Sequence, residues 1–386
     1  MATLNTDPVR EVEAFLALES VPGLGPRSIV RLWRAYGSGE AALRAARSLS
    51  LEEVAAIAGD RFRPRSGTRR ALRNLRARDA RDITRRAAAD GLRMVPLGSL
   101  AYPDRLLDLS DPPPVLFISG SRWPDLVSTV AIVGTRRASA YGRRVASSMG
   151  RDFARWGWTV VSGMASGVDA AAHEGVLDGG GATIGVLGSG HAHEYPPSNR
   201  RLYARMRETG WLLSEFAPLV GPTRRAFPRR NRVIAALSRA VVVVEAGARS
   251  GALDTAGHAL DLGREVLAVP GRVDERRAAG CLQLLRQGAS VAASVRDVFD
   301  ALGSIHNEPA PAAVPPTLPA PGGSGGPDAW LLEALGGDER TADDLAAATG
   351  ESIRETLAAL GRLELDGRIG RGPGGRFYRR RHASVE

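Results

Sequence analysis

Between residues 93 and 302 the chain repeats one arrangement: a short apolar, β-branched run, a loop of small residues, then ten to fifteen residues with helical spacing. The runs fall at 130–133, 159–161, 183–187, 211–213, 241–244 and 266–269. Each is apolar at successive positions, so both faces of the strand it forms must be covered. Strands of that kind, alternating with helices, predict an α/β fold: a doubly wound parallel sheet with helices on both sides.

The loops after these runs carry the functional signal. They read Gly134-Thr135-Arg136-Arg137, then Ser162-Gly163-Met164-Ala165-Ser166-Gly167-Val168-Asp169, then Gly188-Ser189-Gly190, Ser214-Glu215-Phe216 and Glu245-Ala246-Gly247-Ala248-Arg249-Ser250-Gly251. In an open parallel sheet such loops converge at the carboxyl edge, where ligands bind. Small residues there let backbone N–H groups approach an anion, so five in succession predict a phosphate-bearing ligand, although any one alone reads as turn chemistry.

No GxxxxGK[ST] occurs, and Gly185-Val186-Leu187-Gly188-Ser189-Gly190 is not a GxGxxG opening a helix, which disfavours ATP and NAD. Instead Arg224-Arg225 precedes Phe227-Pro228-Arg229-Arg230-Asn231-Arg232, an aromatic ring among guanidinium donors. Guanidiniums pair with phosphate oxygens while a ring stacks on an unpaired base, so this stretch suits a single strand of nucleic acid; an ordinary exposed basic loop is the plainer reading.

The remaining sequence suggests four segments: a helical domain at 1–90, the α/β domain at 91–307, a Pro/Gly linker at 308–327 and a final domain at 328–386. In the first, the hairpin from Val21 to Pro26 resembles a helix-hairpin-helix element, as in SAM-like helical domains, or is simply a tight turn. The arginine clusters from Arg61 to Arg86 read as a solvated helix face. The last segment has three helical stretches and a hairpin, the order of a winged helix, but Glu351, Glu355, Glu364 and Asp366 make its third helix a poor match for DNA.

All 52 basic residues are arginine, and the formal net charge is +10, a balance that attracts polyanions. No apolar run approaches the roughly 20 residues of a membrane span, and MATLNTDPVREVEAF is unlike a secretion signal, so the cytoplasm is the expected location. The single cysteine, Cys281, reads as a buried thiol. His191 and His193 beside Glu194 match no standard metal site, and neither a metal nor a cofactor is expected.

Taken in order, Gly134-Thr135-Arg136, Ser162 to Ala165 with Gly167-Val168-Asp169 and Ala172-His173, Gly188-Ser189-Gly190 with Tyr195-Pro196, and Phe227 to Ala235 resemble the signature of the DprA/Smf (DNA-processing protein A) family. Val244-Glu245-Ala246, Ser250 to Leu253 and Gly263-Arg264-Glu265-Val266 continue it, over about residues 100–290. The resemblance implies a Rossmann-like domain that binds single-stranded DNA, protects incoming strands in natural transformation and helps load the RecA recombinase, working as a homodimer without catalysis. It carries DNA contact to Arg136, Gly163, Phe227, Arg229, Arg230, Asn231 and Arg232, with Ser250 and Gly251 at the edge. Ser166, and the run from Gly280 to Leu285, depart from the family pattern. The alternative is an enzyme, a nucleotide N-glycosidase of the LOG kind using Glu245 or Glu215, although the PGGxGTxxE run of such enzymes is missing.

Overall fold

The computed structural model describes residues 7–59, 62–76, 80–120, 124, 126–303, 328–335, 340–366, 368–372 and 376–379. The chain divides into two compact units, Met1–Pro309 and Ala310–Glu386. The expected linker at 308–327 lies outside the described residues.

The first unit opens with helices α1 (Pro8–Glu19), α2 (Pro26–Tyr36), α3 (Gly39–Ser48), α4 (Leu51–Ala58), α5 (Thr68–Asn74) and α6 (Arg81–Ala89). Their starts follow capping chemistry: Asp7 accepts the Val9 N–H ahead of Pro8, Ser38 caps α3, and Ser50 with Glu53 forms a capping box on α4. Between α1 and α2, Gly23 has φ +87°, and a Cβ there would lie 2.1 Å from the Arg63 carbonyl oxygen. Glycine is therefore required by the turn itself.

The sheet of this unit is formed, among the described residues, by β1 (Arg93–Pro96), β2 (Val115–Ser119), β3 (Thr129–Val133), β4 (Thr159–Ser162), β5 (Thr183–Val186), β6 (Trp211–Ser214), β7 (Ala240–Val243), β8 (Glu265–Ala268) and β9 (Ser290–Val291). They lie in the order β1-β2-β6-β5-β4-β3-β7-β8-β9. From β6 to β9 every pairing is parallel, while β2 runs antiparallel to both β1 and β6. All six expected strands are present. Strands β1, β2 and β9 were not anticipated: β1 ends on Pro96 and has two apolar residues before it, β9 has two residues, and β2 follows Pro112-Pro113-Pro114, although its run Val115 to Ile118 is as apolar as 130–133.

Side chains alternate across the sheet as the period of two requires. Val130 and Ile132 of β3 enter a core with α7 (Ala140–Arg155), α8 (Val168–Asp178) and later α13 (Val295–Ala301), while Ala131 and Val133 enter the opposite one. That second core contains α10 (Ala226–Leu237), α11 (Gly251–Asp261) and α12 (Ala279–Arg286) and runs on into α1–α6. The remaining helix, α9 (Arg200–Thr209), precedes β6. Cys281 is buried in the second core, where burial pushes its thiol up to about 11.

The second unit contains α14 (Ala329–Leu335), α15 (Ala342–Thr349), α16 (Ile353–Leu365) and the antiparallel pair β10 (Ile369–Arg371) and β11 (Phe377–Arg379). Leu331, Leu345, Leu360, Ile369 and Phe377 form its core. Three helices and a hairpin make the winged helix that the pattern predicts. No described helix is long and apolar enough to cross a membrane.

Candidate nucleic-acid interface

Strand order reverses between β3 and β7, because the chain runs outward through β4, β5 and β6 and then returns to the other side of β3. The loops after β3 and β7 therefore part at the topological switch point and leave a crevice. A cleft of about 610 Å³ lies there, lined by Gly134, Arg136 and Arg137 after β3, by Ala165 and Asp169 after β4, by Ser250 and Gly251 after β7, and by α10.

Helix α10 decides which of the predicted residues reach the cleft. Successive residues turn by about 100° in an α-helix. Phe227, Arg230, Asn231 and Ile234 thus share one face, and all four line the cleft. Arg229 and Arg232 project from the other. Arg229 pairs with Glu215 at 2.8 Å and covers the Phe216 ring, and the buried Arg232 pairs with the same carboxylate at 2.6 Å. Of the residues expected to contact DNA, Arg229 and Arg232 therefore lie off the cleft, with their charges directed to Glu215 on the far side of the helix.

The remaining predicted residues take distinct places. Arg136 is exposed, with its guanidinium 4.8 Å above the Phe227 ring. Arg230 is only 4% exposed and forms the floor: its Nη1 donates to the carbonyls of Gly163 and Val186, tying β4 to β5. A Cβ on Gly163 would sit 2.7 Å from that guanidinium, which would have to shift to admit it. Asn231 accepts from Arg230 Nε and donates to the Gly251 carbonyl at 3.1 Å, fixing the loop after β7. Ser250 caps α11 by accepting the Ala252 N–H. Gly251 is exposed at the edge.

Asp169 is buried on the cleft wall and accepts the Ala165 N–H at 3.3 Å. Burial raises its carboxyl above the ordinary range, and Arg230 opposes the shift. His173, on the same helix, bonds Thr183 Oγ1 at 2.7 Å, and burial lowers it to about 3. Tyr195 is a cleft residue that the sequence did not single out for contact. Its ring lies 5.5 Å from that of Phe227 and is 40% exposed. Its sequence signal was its place, with Pro196, soon after Gly188-Ser189-Gly190 in the family-like series, to which no contact role was attached. Arg136, Tyr195 and Phe227 also wall a smaller recess of about 140 Å³, with Gly188, Ser189 and Arg230.

Neither candidate catalytic carboxylate faces the cleft. Glu245 accepts the Ser139 N–H at 2.9 Å and the Ser139 hydroxyl, holding the start of α7, and Glu215 is taken up by Arg229 and Arg232. The N-glycosidase alternative is therefore not favoured. His191 and His193 each direct Nε2 to a backbone carbonyl, of Phe117 and Leu219 respectively.

The fold and site define a Rossmann-like protein with an arginine- and aromatic-lined crevice at its switch point. Residues 93–303 match the family model for DNA recombination-mediator protein A, and residues 309–375 that for the DprA winged helix domain. The DNA processing protein DprA of Bacillus subtilis is 41% identical over 215 residues, 55% of this chain and 72% of that protein. Protein Smf of Escherichia coli is 36% identical over 302 residues, 76% of this chain and 79% of the relative. The solved DprA of Streptococcus pneumoniae superposes with a TM-score of 0.64 at 29% identity, covering 77% of this chain and 98% of that one. This chain belongs to the DprA/Smf family of DNA-processing proteins.

Proposed function

We propose that the cleft binds single-stranded DNA without catalysing a reaction on it. The observation that carries this reading is the Arg136–Phe227–Tyr195 cluster at the mouth: two rings at stacking distance with an exposed guanidinium beside them. An unpaired base stacks on such a ring at about 1–3 kcal/mol, and Arg136, Arg137 and Arg224 are placed to pair with the phosphates that flank it. Paired bases present no free face to the rings, so the arrangement favours a single strand.

The family's recombination-mediator description supports a wider role. The protein protects incoming strands during natural transformation, helps load the RecA recombinase onto them, and does so in the cytoplasm as a homodimer. Photocrosslinking with an oligo(dT) carrying 5-iodouracil tests the cleft. The crosslink is expected on Phe227 or Tyr195, because the reaction selects stacked aromatic rings; a crosslink confined to peptides outside the cleft would refute the assignment.

A further inference from the structure

The net charge of +10 is not spread evenly along the chain. Residues 61–86 hold eleven arginines and two aspartates, so nine of the ten net positive charges lie within 26 residues and the other 360 are within one charge of neutral. Part of this segment is paired: Arg81 faces Glu13, Arg85 faces Asp82 and Arg86 faces Asp90. Arg65, Arg69, Arg70 and Arg73 are exposed and have no acidic partner among the described residues. With Leu51 and Asn74 they line one open groove of about 440 Å³ on α5.

That groove is held in place. The Thr68 side chain is fully buried, donates to the Pro22 carbonyl at 2.8 Å and accepts the Arg65 N–H at 2.7 Å, which locks the start of α5 onto the α1–α2 turn. Arg69 and Arg73 stand four residues apart on one helix face, where like charges repel. A rigid surface that concentrates unpaired like charge is matched by a polyanion. Among the described residues no aromatic side chain lines the groove, so they offer no platform for an unpaired base. A duplex carries one charge per about 1.7 Å of its axis, and α5, about 10 Å long, faces several of them.

We propose that this groove is a second nucleic-acid site, which grips the phosphodiester backbone of double-stranded DNA through Arg65, Arg69, Arg70 and Arg73. It is independent of the cleft reading. The test measures binding of the full chain to a short duplex and to oligo(dT) across a salt series. Replacing Arg69, Arg70 and Arg73 together by alanine should weaken duplex binding about tenfold or more and reduce the log–log salt slope by about 2 to 3, at about 0.9 per phosphate. Oligo(dT) affinity should change little.

A control variant, Arg144→Ala with Arg201→Ala and Arg286→Ala, lowers the net charge equally at exposed positions elsewhere and should leave duplex binding unchanged. Alanine suits an exposed helix, and the single variant Arg70→Ala, with an expected slope loss of about 0.9, serves if the triple variant misfolds. Phe227→Ala separates the two sites, since it should weaken oligo(dT) and spare the duplex. An unchanged duplex affinity and slope in the α5 variants, or an equal loss in the control, would overturn the proposal.

Discussion

The strand-end cleft takes its lining from loops after β3, β4 and β7 and from one face of α10, and its floor arginine, Arg230, is held by the carbonyls of Gly163 and Val186. The groove on α5 comes from one short stretch and, among the described residues, carries four arginines without acidic partners and no ring. The first is rich in architecture and modest in charge; the second is the reverse. The contrast teaches that net charge does not locate the shaped site. Shape-selective contact requires groups held in place, whereas long-range attraction needs only an excess of one sign.

The two faces of α10 separate a structural role from a binding one. Glu215→Ala strips the carboxylate from the buried Arg232 and from Arg229, and should lower stability by about 3–5 kcal/mol in urea denaturation while leaving the oligo(dT) affinity of the folded protein intact. On the cleft face, Phe227→Ala should cost about 1–3 kcal/mol of oligo(dT) binding per stacked base with little loss of stability, measured by fluorescence anisotropy and a thermal melt. If Glu215→Ala weakens DNA binding as much as Phe227→Ala does, the division of the helix into a structural and a ligand face is wrong.

A smaller effect sharpens the boundary between the helical hairpin and the sheet. Glu19 lines a second groove with Gly23, Arg63, Glu215 and Arg229, and burial raises its carboxyl from 4.5 to about 7, with Arg229 opposing and Glu215 reinforcing the shift. The folded protein therefore holds this proton more tightly than the unfolded chain. Stability should fall as pH rises from about 4.5 to about 7 and level off above that. Glu19→Gln removes the group, so it should stabilise the protein by about 1–3 kcal/mol at pH 8 and by almost nothing at pH 4, read from paired denaturation curves. Equal stabilisation at both pH values would show that the carboxyl is not desolvated.

The parallel strands were legible because a run such as Val130 to Val133 has no polar position to offer water. The fates of Arg229 and Arg232 were not. The stretch from Phe227 to Arg232 is one basic cluster in the sequence, and only the 100° turn per residue of α10 divides it between cleft and Glu215. Arg230 shows a different gap: its partners, the carbonyls of Gly163 and Val186, lie 67 and 44 residues away, and backbone acceptors leave no mark in composition. Glu245, a candidate catalytic carboxylate, proved to hold Ser139, 106 residues distant. The excess of arginine from Arg61 to Arg86 was plain in the sequence, but which of those arginines lack acidic partners depended on the fold.

Oligo(dT) binding measured across a salt series for the wild-type chain, for Arg136→Ala and for Phe227→Ala tests most directly whether a single strand lies in the cleft. Wild-type affinity should fall by a log–log slope of about −0.7 per neutralised phosphate, Arg136→Ala should flatten that slope by about 0.7, and Phe227→Ala should weaken binding without altering it. Affinity and slope unchanged in both variants would contradict the claim that single-stranded DNA lies in the strand-end cleft.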